Sequence, residues 1–178
     1  MELSTDFRRA LTTSSAETPY TAKVPTATEP AHSAANGLFD VSNGLIGGGD
    51  GAHAPKFIQI VPFGTAADDD QFSFQLWGWN KVAGASLWIP QLLVEATAVL
   101  STVSGTAIAA DTLMADTITI TKGAADTSLN SVIVTSNNLG PASILCHLRG
   151  VQKIEFEFDM LTGGDSGNLY WRYVDDCF

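Results

Sequence analysis

The run Lys153-Ile154-Glu155-Phe156-Glu157-Phe158-Asp159-Met160 alternates charged and apolar residues without a break. Successive side chains of a β-strand point to opposite faces, so a period of two predicts a half-buried strand. Ile154, Phe156, Phe158 and Met160 would face in, and Lys153, Glu155, Glu157 and Asp159 would face out. Shorter runs repeat the pattern. Phe57 to Phe63 is closed by Gly64 and the acidic turn Asp68-Asp69-Asp70. Gln71 to Val82 places Phe72, Phe74 and Leu76 on one face and Trp77 and Trp79 on the other. Leu87-Trp88-Ile89-Pro90 leads into Leu92 through Leu100. Thr117 to Lys122, Ser131 to Val134, Ser143 to Arg149 and Leu169 to Val174 complete the set.

Pro90 has no N–H for a ladder, which places its strand at an edge or at a bend. Gln91 to Leu100 could be helical by composition, but Val94, Thr97 and Val99 favour a strand. About eight short strands follow one another between Gly, Asn, Asp and Ser turns, with no amphipathic helix between them. That order predicts an all-β sandwich or barrel and excludes an α/β fold. The expectation is an antiparallel β-sandwich with jelly-roll or related Greek-key connections over residues 56–178.

Residues 1–55 read differently. Leu3, Phe7 and Leu11 stand at helical spacing and suggest a short helical turn beginning near Ser4 or Thr5. The polar stretch that follows carries prolines at 19, 25 and 30, almost no large apolar residue and no usable period. Such a segment has no core of its own; it is either disordered or laid in extended form along another surface. Gly47-Gly48-Gly49-Asp50-Gly51 then reads as a hinge into the body. The division expected is an extended N-terminal arm and hinge, 1–55, before the sandwich.

Composition narrows the function. Of 178 residues, 45% are hydrophobic and 16% charged, the balance of a folded body. Nine basic residues face nineteen acidic ones, a net charge of −10. Nucleic-acid binding draws its affinity from Lys and Arg at phosphates, so that partner is disfavoured, and an anionic membrane surface with it. No apolar run reaches the eighteen residues of a membrane span. The start, Met1 to Arg9, lacks the basic and apolar succession of a secretion signal, and the expectation is a protein made and assembled in a cytoplasm. Cys146 falls in an apolar run and reads as a buried free thiol rather than as half of a bridge to Cys177.

Four local signals invite chemistry. Gly164-Asp165-Ser166-Gly167 resembles the nucleophile segment of trypsin-like proteases, with His53 far upstream. Too little chain follows Ser166 to complete that architecture, and a turn between the last two strands explains the residues more simply. The glycine run at 47–51 lacks the strand, helix and Lys of a phosphate loop. Asp68-Asp69-Asp70 lacks the alternating spacing of a Ca²⁺ loop and reads as a solvated hairpin tip. His32, His53 and His147 are not paired at metal-ligand spacing. No cofactor, metal or catalytic set is expected, and the chain reads as a structural or binding protein rather than an enzyme. The fourth signal is aromatic: both faces of Phe72 to Trp79 are apolar, with Trp88 close behind, so something must cover the second face. That cover is the domain itself (including its own arm), a subunit or partner interface, or sugar rings, as in carbohydrate-binding β-sandwich modules.

Leu76-Trp77-Gly78-Trp79-Asn80-Lys81-Val82, Ser86 to Leu93, Met114 to Thr119, Pro141-Ala142 and Gly150 to Phe156 resemble segments of small proteins encoded beside the major capsid gene of tailed phages. The resemblance covers roughly residues 57 to 173 and rests on strand-and-turn patterns. It implies a head decoration, or cement, protein: β-rich, bound to the outer capsid surface of the virion, often trimeric, clamping neighbouring capsomers. The implied partners are the major capsid protein and further copies of the chain. The contact residues expected are Phe7, Arg8, Leu11 and Tyr20 in the arm, with Trp77, Trp79 and Trp88 at a subunit interface. The alternatives are a phage tail or head–tail connector component and a carbohydrate-binding module.

Overall fold

The computed structural model describes residues 8–14, 22–30, 38–41, 55–65, 71–101, 113–122, 132–137, 140–160 and 166–174. These form ten strands: β1 (Arg8–Ser14), β2 (Leu38–Asp40), β3 (Phe57–Thr65), β4 (Gln71–Lys81), β5 (Trp88–Ser101), β6 (Leu113–Lys122), β7 (Val132–Asn137), β8 (Gly140–His147), β9 (Lys153–Met160) and β10 (Ser166–Val174). Among the described residues there is no helix.

Two antiparallel sheets pack face to face. Sheet I runs β1-β10-β3-β8-β7 and sheet II runs β6-β5-β4-β9-β2. Among the described residues their hydrogen bonding is continuous through one corner only, where Phe63 and Gly64 of β3 meet Met114 and Leu113 of β6. The first strand of the body lies beside the last (β3 with β10) and the second beside the next to last (β4 with β9). This nesting is of the jelly-roll kind, while β4-β5-β6 run as a meander.

The alternation read from sequence sets the core. Ile154, Phe156 and Phe158 of β9 face inward, as do Phe74 and Leu76 of β4 and Leu169, Trp171 and Tyr173 of β10. Ile58 and Ile60 of β3 and Ile144 and Cys146 of β8 join β10 on the inner face of sheet I. Gln91 to Leu100 is strand, as its β-branched residues favour, and β5 carries Val94, Ala96, Ala98 and Leu100 into the same core.

Two expectations are corrected. Leu11 does not continue a helical turn, because Arg8–Ser14 is a strand laddered to β10; pairing with a ready edge outweighs weak local helix spacing. Ser166 to Asn168 are not turn residues either. They are already strand, opposite Thr65, Gly64 and Phe63 of β3 on one side and β1 on the other.

The link from β8 to β9 crosses between the sheets. Arg149 (φ 54°) and Gly150 (φ 72°) both take left-handed conformations, and the Val151 N–H closes the turn on the Leu148 carbonyl at 3.1 Å. Only Gly adopts that conformation at no steric cost, so Gly150 carries half of the reversal freely. Leu148 and Val151 are buried, and Val151 presses on the backbone of Gly78, where any Cβ would meet its Cγ1 at 2.4 Å.

Candidate functional site

The outer face of sheet II should meet water if one face of the sandwich is core and the other solvent. It is covered instead. Cross-strand register aligns Trp79 with Lys153 and Pro90, Trp77 with Glu155 and Leu92, and Gln75 with Glu157 and Glu95. Trp88 follows, opposite Lys81. Trp79 and Trp88 are 5% and 6% exposed, and Lys153 is 5% exposed.

The cover is the chain's own arm. Between Glu95 and Ser101, β5 pairs with β6, but among the described residues β6 does not reach the stretch from Trp88 to Val94. Pro90 lies in that stretch, so the expectation that it marks an edge holds locally. Thr26 docks at this open edge as an isolated antiparallel bridge to Trp88. Lys23 pairs with Glu155 at 2.8 Å and also with Glu157. Glu29 pairs with Lys153 at 3.0 Å, and the Lys153 ammonium stands 5.4 Å from the centre of the Trp88 ring. Segment 22–30 is therefore a strap across the face, and β2 continues the arm along β9, with Phe39 and Val41 in the core.

The polar groups of this face are arranged for hydrogen bonding. The Trp79 indole N–H donates to Glu155 at 2.8 Å. The Trp77 indole N–H donates to the Gln75 side-chain oxygen at 2.8 Å, and the Gln75 amide donates in turn to Glu95. Thr121 and Lys122 donate to the same carboxylate at 3.0 and 3.2 Å. Burial alone pushes the Glu95 pKa up, but the bonds from Gln75, Thr121 and Lys122 together hold it below the ordinary carboxylate value. Burial likewise pulls the Lys23 ammonium down, yet the hydrogen bonds and charges of Glu155 and Glu157 raise it overall.

Of the contact residues expected from sequence, Trp77, Trp79 and Trp88 come together on this one face. Arg8 and Leu11 lie on a different sheet, in β1, opposite Trp171 and Leu169. Phe7 and Tyr20 fall outside the described residues, as do His32, His53, the glycine run, Asp68 to Asp70 and Cys177. Cys146 is a buried free thiol. His147 accepts the Arg149 backbone N–H on Nδ1 at 2.8 Å, and its pKa is lowered by burial and then by the charges of Arg149 and Lys56. Its ring serves the crossover turn. Among the described residues no group of His, Cys, Asp or Glu is placed to hold a metal ion.

Sequence reasoning passed over Lys23, Glu29, Gln75, Glu95 and Lys153. Lys153, Glu155 and Glu157 read as a solvent face because alternation shows which side is not core, not what lies on it. The one available signal was the double apolar face of Phe72 to Trp79, which demanded a cover. No protein-family model, curated protein or solved structure matches the chain.

Proposed function

We propose that the chain is a non-enzymatic structural protein of a phage virion, one that decorates the outer capsid surface, binds the major capsid protein and clamps neighbouring capsomers. The observation that supports this reading best is how the arm attaches. Its described segments join the body by adding to strand edges and by ion pairs: β1 on β10, Thr26 on Trp88, β2 on β9. A chain segment that binds this way needs no core of its own and can serve as a clamp wherever a strand edge and matching charges are offered. A net charge of −10 suits the outside of a shell, away from packaged DNA. Many weak contacts on a lattice would sum through multivalency, and a trimer is the assembly favoured.

A carbohydrate-binding module is supported less well. Stacking on a sugar needs an open ring face, whereas Trp79 and Trp88 lie under the strap. A tail or head–tail connector component shares every feature named above and differs in copy number. Purified particles from the native source, assayed by quantitative mass spectrometry, separate these readings. Hundreds of copies per particle, in regular ratio to the shell protein, are expected for decoration. A dozen or fewer would move the chain to the tail or connector, and absence from particles would overturn the virion reading.

A further inference from the structure

The strap holds the body mainly through side chains. Thr26 alone shares backbone bonds with β5, while Lys23 and Glu29 supply ion pairs and Val24 stays 66% exposed. Pro90 explains why the ladder stops there. Extending the Thr26–Trp88 pairing by two residues puts Val24 opposite Pro90, which has no N–H to give. In the other direction Thr28 would face Ser86, in the turn before β5.

The seat is built differently. Trp79, Trp88, Lys153, Glu155 and Glu157 stand on β4, β5 and β9, which are laddered to one another along their length. Nothing in the seat requires that the strap come from the same chain. It asks for an extended segment with a cation for Glu155 and Glu157, a backbone pair for Trp88 and an anion for Lys153. Ala22–Pro30 has that pattern, and every copy carries both halves.

We infer that this groove is a docking site for segment Ala22–Pro30 of a second copy, so that neighbouring copies exchange straps. Within one chain the tether holds the strap at an effective concentration on the order of millimolar, so its own strap wins in dilute solution. Copies crowded to a similar density compete for the same seat. The seven residues on either side of the strap, 15–21 and 31–37, each span at most about 25 Å, so the donor must be an immediate neighbour. The inference goes beyond the virion reading and does not depend on it.

The test uses the wild-type chain. ¹⁵N-labelled and unlabelled protein are mixed in equal amounts, incubated at micromolar and at millimolar concentration, and treated with a carbodiimide, which joins a Lys to a Glu only in direct contact. Mass spectrometry then reads the isotopes in the peptides linking Lys23 to Glu155 or Glu157. Same-isotope pairs are expected at micromolar concentration, with mixed-isotope pairs rising steeply towards millimolar. Same-isotope pairs alone at every concentration would overturn the inference. A second experiment mixes Lys23→Glu with Glu155→Lys/Glu157→Lys: each alone has either a working seat or a working strap, not both. Light scattering should show a one-to-one complex only in the mixture, and a mixture that stays monomeric counts against exchange.

Discussion

Thr26 and Trp88 exchange both of their backbone hydrogen bonds, at 3.0 Å from the Thr26 N–H and 2.7 Å from the Trp88 N–H. The pair ties a polar, proline-flanked segment to the one stretch of β5 that β6 leaves open. Around it the strap's charges and the buried Lys153 neutralise one another, which a buried ammonium requires. The β9 side of this face, which alternation alone assigns to solvent, becomes part of a second, partly polar interior.

The Glu95 cluster predicts an acid limit to stability. Because its folded pKa lies below the ordinary 4.5, its contribution is present above that pH and is lost as pH falls through the folded value. Urea midpoints measured from pH 6 downward should fall across this window. Glu95→Gln should flatten the fall. Lys23 acts with the opposite sign: its raised pKa gives stability that is present below 10.5 and lost as pH rises above it.

Gly78 predicts a steric dependence. Gly78→Ala places a methyl 2.4 Å from Val151 Cγ1, and Val151 sits on the crossover turn with little room to move. A loss of about 1–3 kcal/mol is expected from overpacking. Combining it with Val151→Ala should recover part of that loss, and a double-mutant cycle by chemical denaturation measures the coupling.

Phe39 predicts where the arm can be cut. Its ring packs edge-on against Trp171 at 4.8 Å and Phe156 at 6.2 Å. Phe39→Ala should destabilise the body by about 3–5 kcal/mol. A chain beginning at residue 31 keeps β2 and should stay folded; one beginning at residue 51 loses Phe39 and Val41 and should unfold at lower urea. Equal midpoints for the two truncations would refute this account.

Cys146 predicts protection. Burial pushes its thiol up to about 12, so almost no thiolate forms near neutral pH. Peptide-level mass spectrometry after iodoacetamide at pH 8 should find Cys146 unmodified in the native protein and modified in denaturant. Rapid native labelling would place the thiol outside the core.

Much of the body was legible because alternation is a local signal. Phe74 and Leu76, Ile154, Phe156 and Phe158, and Leu169, Trp171 and Tyr173 of β10 all face inward as their spacing implies. Pro90 marked an edge because a missing N–H is a property of the residue itself. The strap was not legible, since Lys23 meets Glu155 and Glu157 across more than a hundred residues, and a charge reports nothing about a distant partner. Leu11 misled for a related reason: its helical spacing to Leu3 and Phe7 was real but weaker than a strand edge offered by β10.

The sequence by itself determined that this chain forms strands, which residues of most strands face the core, and that the polar, proline-bearing stretch after Leu11 cannot build a core of its own. Those properties follow from side-chain period, backbone chemistry and composition, which are carried within a few residues of chain. Only the tertiary structure decided which of the possible covers lies on the outer face of sheet II, that segment 22–30 is that cover, and that Lys153 is buried beneath it. These depend on which edges remain open after the sheets assemble, and on charges brought together from opposite ends of the chain.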